Sequence, residues 1–354
     1  MQFPVFNTKV KGLKKTFNLN NPRERKEYFE LKAGQEIKKL RNYFKRGNTF
    51  IAYLVGKKNS GKGTYAKMFA EIVGPQYIEH FSIGDMIRRV DEELKDKKKK
   101  KELFVFLEKN YRGKFSIKEI LSLLAKRNTS APLLPTELIL TLIEREIAEK
   151  KKKTLFIDGF PRDLDQMNFT LFFRNLIGYR EDDDIFILFN VPEKVIDERM
   201  KYRRVCPRCH TSRNLKLLPT SKLGYDQKKK EFYLLCDNPN CQEVKMLPKE
   251  GDEKGIKSIR ARLMKADQLI NQAASLYGIP KVYLKNSVPK SLASKLVDNY
   301  ELTPEYSYKW NGKEVKIIEK PWVFPDDEGK PSYSLLAAAV VLSLIKQTTK
   351  VLNL

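Results

Sequence analysis

The sequence predicts an α/β fold in which a parallel sheet carries helices on both faces. Two observations predict it. Short continuous apolar runs, of which 50–55 (Phe-Ile-Ala-Tyr-Leu-Val) is the clearest, are what a strand covered on both sides requires. The rhythm of strand, turn and helix then recurs, with strands expected at 50–55, 77–81, 154–158, 184–189 and 281–285, and such alternation joins parallel neighbours through helical crossovers. At 354 residues, 41% hydrophobic and 11% aromatic, the chain has the length of about two domains and can bury a core, which excludes a disordered chain.

Each segment supports this outline in turn. Residues 1–47 form a basic helical extension: Asn21 before Pro22 is an N-cap and first-turn signal, and Tyr28, Leu31, Ile37 and Leu40 fall on one helix face. The strand at 50–55 ends in a glycine-bearing turn, and a helix is expected over 64–73. Two regions break the rhythm and read as insertions into the core: 91–132, with five lysines at 97–101 and helix-like segments, and 205–248, which is loop-rich. The lysine runs at 97–101 and 150–153 read first as solvated helix ends. Beyond residue 300 a turn-rich section with Trp310, Pro321, Trp322 and Pro325 precedes an apolar helix expected over 334–347; residues 299–354 are an extension whose role the sequence does not reveal.

The net charge of +25 favours polyanionic ligands, that is nucleotides, nucleic acid or an anionic surface. The apolar run 335–345 falls short of the roughly 20 residues that span a bilayer, so no transmembrane helix is expected. The N-terminus lacks the charged and apolar regions of a secretory signal, and the expected compartment is the cytoplasm. All four cysteines lie between 206 and 241, too few for a disulfide scaffold and grouped as a local metal site of reduced thiols.

Gly56-Lys57-Lys58-Asn59-Ser60-Gly61-Lys62-Gly63-Thr64 follows the first buried strand and opens a helix, the context of a phosphate-binding loop. Successive backbone N–H groups and the helix N-terminus can wrap a β-phosphate, and Lys62 can neutralise the β and γ oxygens. Gly63 intervenes where the general pattern has Ser or Thr, and Thr64 follows it.

Gly-Lys-Gly-Thr at 61–64 resembles the variant found in adenylate kinases and related nucleoside monophosphate kinases, and further motifs follow in that family's order. Ser82-Ile83-Gly84-Asp85-Met86-Ile87-Arg88 resembles its Ser-Thr-Gly-Asp-Met-Leu-Arg, and Asp158-Gly159-Phe160-Pro161-Arg162 with Gln166 resembles its Asp-Gly-Phe-Pro-Arg and later glutamine. Arg199 with Arg203-Arg204-Val205, and Arg260 with Arg262-Leu263, resemble the stretches that enter and leave its mobile lid. The resemblance covers about 48–298 and implies a P-loop nucleoside monophosphate kinase fold with an acceptor-binding insertion at about 82–134 and a zinc-ribbon-like lid at about 204–250.

It also implies roles. Gly56, Ser60, Gly61, Lys62, Gly63, Thr64 and Arg199 would hold ATP, with Arg199 over the donor adenine. Ser82, Ile83, Arg88, Gly159, Arg162 and Gln166 would hold AMP. Lys62, Arg88, Arg162, Arg203, Arg262 and Asp158 would carry the transfer, and Asp158 and Asp85 would position Mg2+ through its waters. Bringing two polyphosphates end to end requires cations from several directions, and arginine supplies a bidentate fork whose charge persists at any working pH. The implied enzyme is a monomeric adenylate kinase. The alternatives are a kinase for UMP, CMP or another monophosphate, and a nucleic-acid-binding P-loop protein with a zinc ribbon.

Cys206-Pro207-Arg208-Cys209 and, 26 residues on, Cys236-Asp237-Asn238-Pro239-Asn240-Cys241 give the spacing of a four-thiolate structural Zn2+ site, with His210 as the competing ligand. Some departures from the family pattern bear on the reading. Lys58 and Asn59 stand where proline and glycine are usual, and Ile83 replaces a threonine. The second lid motif is altered to Lys249-Glu250-Gly251-Asp252-Glu253, in which Lys249 substitutes for an arginine.

Overall fold

The computed structural model describes residues 3–125, 134–148, 151–179 and 181–354. Of the expected acceptor-binding insertion, residues 126–133 lie outside this set, as does Lys150 of the second lysine run.

Helix α1 (Pro22–Lys45) starts where Asn21 accepts the Arg23 N–H at 2.9 Å. Tyr28, Ile37 and Leu40 are buried as expected, but Leu31 is 48% exposed. The inward position is Lys32, four residues after Tyr28, and its ammonium is ion-paired with Glu301 at 2.8 Å and Asp298 at 2.7 Å. Apolarity assigned that face to the wrong neighbour because the buried residue is a charged one.

The chain then runs through β1 (Phe50–Gly56), α2 (Lys62–Val73), β2 (Ile78–Ser82) and α3 (Ile83–Glu93). It continues through α4 (Lys97–Asn110), α5 (Ile117–Ala125), α6 (Thr136–Ala148), β3 (Thr154–Asp158), α7 (Leu164–Leu176), β4 (Asp183–Asn190) and α8 (Glu193–Lys201). Helix α2 begins two residues earlier than expected, directly at Lys62. Residues 203–248 contain short antiparallel strands, after which come α9 (Arg260–Ser275), β5 (Lys281–Lys285) and α10 (Lys290–Leu296). The last helix, α11 (Ala337–Val351), starts later than expected because Ser334 ends a strand, Pro331–Ser334, that pairs with Ser287–Pro289 and Val323–Pro325.

The five β strands form one parallel sheet in the order β5-β4-β1-β3-β2. Side-chain alternation divides the core. Phe50, Ala52 and Leu54 face α1, α2 and α11, while Ile51, Tyr53 and Val55 face α3, α6, α7 and α9. The connection leaving β1 runs toward β2 and the one leaving β3 crosses back toward β4, so a crevice opens between the carboxyl ends of β1 and β3. Gly56, Ser82 and Asp158 all end strands there. The five-lysine run opens α4 and is solvent-exposed.

Candidate active site

Between β1 and α2 the backbone folds back on itself. Asn59 (φ 64°) and Gly61 (φ 98°) take left-handed angles, and a Cβ at Gly61 would also meet the Tyr65 ring at 2.9 Å. Asparagine tolerates this angle, so the loop closes without the usual glycine at 59. Gly63 has a spatial cause: a Cβ there would lie 3.2 Å from the His80 ring. Lys62 Nζ donates to the carbonyls of Gly56 and Lys57, both at 3.1 Å, and lies 3.8 Å from Asp158 Oδ1.

Asp158 ends β3 facing this lysine, with His80 Nε2 at 3.7 Å on its other oxygen. Burial pushes its carboxyl up, but Lys62, His80 and Arg162 outweigh that effect and hold it below the usual value, so it is a stable anion at neutral pH. Ser82 caps α3 by accepting the Asp85 N–H at 3.2 Å. Arg88, one helical turn on, is ion-paired with Asp85. Gly84 shows where the acceptor-side cations meet, since a Cβ placed on it would be 3.7 Å from both Arg88 Nη1 and Arg162 Nη2. Gly159 (φ 93°) leaves room for Arg162, whose Nη2 would stand 2.8 Å from an added Cβ. Gln166 is buried, and its Oε1 accepts the backbone N–H of Arg162 at 2.7 Å. Ile83 is buried in the apolar core at the start of α3.

From the opposite side, Arg203 donates to Asn59 Oδ1 at 2.9 Å and pairs with Asp252. Desolvation, then Arg262, Lys249 and Arg203, depress the Lys58 ammonium below the usual lysine value. Lys249 is likewise depressed by desolvation, Arg203 and Arg88. Lys249 thus joins the cluster at the altered lid motif. Arg199 donates to Ser60 O at 3.1 Å and to Asn286 Oδ1 at 3.3 Å. Thr64 lies exposed in the first turn of α2, and Arg260 pairs with Glu193 at 2.6 Å.

Ser60 Oγ, Asn59 Nδ2 and Arg203 Nη2 are buried with no hydrogen-bond partner among the described residues. Buried donors of this kind are costly unless a ligand completes them, and an anion of several oxygens in the loop fits all three.

Residues 55–213 match the family model for an AAA domain. The "Adenylate kinase" of Thermotoga petrophila is 34% identical over 206 residues, which cover 57% of this chain and 76% of the relative. The protein of the same description from Thermotoga maritima gives the same figures. That of Hydrogenobaculum sp. is 28% identical over 216 residues, 61% of this chain and 82% of its own. The chain belongs to the adenylate kinase family. It is accordingly a nucleoside monophosphate kinase built on a P-loop kinase domain.

In this adenylate kinase family member the cysteines lie between α8 and α9. Cys206, Cys209, Cys236 and Cys241 have their sulfurs within 4.8 Å of one another, and all four are free thiols. Four thiolates about 2.3 Å from one ion would stand roughly 3.8 Å apart, so the group can hold a metal after a small contraction. Cys209 and Cys236 are already 3.6 Å apart, and hydrogen bonds at Thr211 bring the Cys209 thiol down to about 6. His210 is not among the residues that gather.

Two further contributors to the site were not singled out by sequence reasoning. His80 stands two residues before Ser82 and is one of only two histidines in the chain, which was the available signal. Asn286 follows β5, and nothing local distinguishes it before Arg199 is seen to reach it.

Proposed function

We propose that the protein is an adenylate kinase, transferring the γ-phosphoryl group of Mg-ATP reversibly to AMP and giving two ADP. The observation that carries this reading is the convergence of Lys58, Arg203, Lys249 and Arg262 toward Lys62 and the Arg88–Arg162 pair around one crevice. Such a field suits two polyphosphates lying end to end.

In this reading Gly56, Ser60, Gly61, Lys62, Gly63 and Thr64 hold the donor phosphates. Ser60 Oγ and Asn59 Nδ2 gain partners, and Lys62 exchanges loop carbonyls for phosphate oxygens. Arg199 covers the donor base, and Ser82, Gly159 and Gln166 frame the acceptor beside Arg88 and Arg162, with Ile83 backing them from the core. An acceptor phosphate oxygen attacks the γ-phosphorus, the bond from that phosphorus to the β-bridging oxygen breaks, and ADP leaves with the electron pair. Arg203 and Arg262 neutralise charge on the group in flight, and positioning with electrostatics carries the rate. Asp158, held anionic, and Asp85 would hold Mg2+ through its waters; the ion would supply charge neutralisation between the β and γ oxygens. The four cysteines would hold a structural Zn2+ that stiffens the lid.

The proposal takes the enzyme as a monomer. None of the helices among the described residues is long and apolar enough to cross a membrane, and the reading places the enzyme with its substrates in the cytoplasm. The test is coupled phosphoryl transfer from Mg-ATP to AMP, UMP, CMP and GMP, with Arg162→Ala run in parallel. AMP-dependent turnover that the variant loses is expected. Turnover with UMP or CMP and none with AMP would overturn the acceptor assignment.

A further inference from the structure

Residues 299–354 lie against α8, the helix that carries Arg199 and leads to Arg203. Helix α8 has Pro192 at its N-cap and no cap from its own flank. Its first N–H, that of Glu193, donates instead to Asp327 Oδ1 at 2.8 Å, more than a hundred residues away in the chain. Along its length Val195, Ile196 and Met200 are buried with Trp322 and Phe324.

Beside the start of α8, where its backbone N–H donates to Asn190 O at 2.9 Å, Asn286 is 1% exposed and all its side-chain capacity is used. Its Nδ2 donates to Tyr65 OH at 3.1 Å and to Leu335 O at 2.9 Å, while its Oδ1 accepts from Ser334 Oγ at 2.9 Å and from Arg199 Nη2 at 3.3 Å. Two of these four bonds come from the C-terminal segment. They fix which way the amide faces, and so present the carbonyl oxygen to Arg199. The same segment reaches beyond α8, since the Tyr306 N–H donates to Lys216 O at 2.7 Å, Tyr308 OH donates to Leu215 O, and Trp310 stacks on Tyr225 at 5.3 Å.

We propose that residues 299–354 are a donor-side positioning element, in which Asp327 caps the start of α8 and Ser334, through Asn286, anchors the guanidinium of Arg199, so that Arg199 is held in place for the donor nucleoside before it binds. This rests on the reading of Arg199 as a donor residue. A long arginine side chain ordered in advance costs the ligand less rotamer entropy on binding, so the effect falls on donor affinity. The acceptor groups Arg88, Arg162 and Gln166 are carried by α3 and the β3–α7 region, and their ligand serves as the internal control.

The experiment measures KM for ATP and for AMP with the full-length protein and its Ser334→Ala, Asp327→Ala and Asp327→Asn variants, with thermal melts alongside. Ser334 is fully buried and its variant can lose folding, whereas Asp327 has a side chain 44% exposed and its variants keep the test usable. Loss of one ordinary hydrogen bond predicts a rise of roughly three- to tenfold in donor KM for both alanine variants, with acceptor KM within about twofold. Asp327→Asn retains an acceptor oxygen and is expected to recover most of the loss; because Asp327 Oδ2 also lies 3.8 Å from Lys57 Nζ of the phosphate loop, a donor KM that the asparagine does not recover would assign the effect to that charge and overturn the proposal. Donor KM unmoved in Asp327→Ala, or equal rises in both KM values, would overturn the proposal while transfer by the wild type still supports the site reading. A wild type with no transfer to any monophosphate overturns that reading and this proposal with it.

Discussion

The ammonium of Lys62 rests 3.1 Å from two loop carbonyls, contacts that phosphate oxygens can replace without moving the backbone. Removing it deletes a charge aimed at the transferring group and leaves the loop to be closed by Gly61 and Asn59. Lys62→Ala is therefore expected to lower kcat by roughly 10²- to 10³-fold, with the melting temperature within a few degrees of wild type; steady-state kinetics and a thermal melt check both halves. A second residue is informative at the opposite end of the sheet. Burial, opposed by Arg174 at 3.6 Å, pushes the Asp184 carboxyl up to about 6. The native state then holds a proton that the unfolded chain has released, so stability falls as pH rises from about 4 to 6 and stays lowered above that window. Asp184→Asn removes the ionisation. Urea denaturation should show it more stable than wild type by about 2 kcal/mol at pH 7.5 and by little at pH 4; an equal difference at both pH values would sink the argument.

A metal held by the four cysteines, as proposed, would act on a whole element, because their sulfurs join two knuckles that are 26 residues apart in the chain. Cys236→Ser should lower bound zinc below one equivalent and cost about 2 kcal/mol or more, a fall of roughly 3 °C or more in melting temperature for a chain of this size. Full zinc content with unaltered melting would contradict it. The gathering of the four cysteines was legible in the sequence because each pair is local, and the phosphate loop was legible because its glycines and lysine are contiguous. The strand at 154–158 was legible for a related reason, since a short apolar run needs no distant partner to be recognised. Lys58 belongs to the loop itself and Lys249 was read as the substitute for an arginine, but the approach of His80 to Asp158 depends on β2 and β3 lying side by side, which no local pattern encodes. The antiparallel hairpin Pro304–Trp310 with Val315–Pro321 was read only as a turn-rich section. The signal was present and was passed over, since Tyr306, Tyr308 and Trp310 alternate with Ser307 and Lys309 ahead of the turn pair Asn311-Gly312; the second strand, mostly exposed, carries little of it.

Across the molecule, the two ends of the chain close over one face of the sheet, where α1 and α11 pack with α2. Their joint is polar. Lys32 and Glu301 are fully buried side chains 2.8 Å apart, and Glu301 also accepts from Tyr28 OH, Thr8 Oγ1 and the Asp298 N–H. A buried pair of this kind contributes little net stability when intact, because desolvation offsets its attraction, but removing one partner strands the other charge. Glu301→Gln keeps the shape and most hydrogen bonds while leaving Lys32 with Asp298 alone, and a loss of about 3 kcal/mol is expected in urea denaturation. Lys32→Met added to that variant removes the under-compensated buried charge and should recover most of the loss. If the double variant were as unstable as the single one, the joint would owe its strength to hydrogen-bond geometry and not to charge. Recovery would instead mean that the terminal segments are held to the sheet chiefly by the apolar faces of α1 and α11, with the ion pair fixing their register.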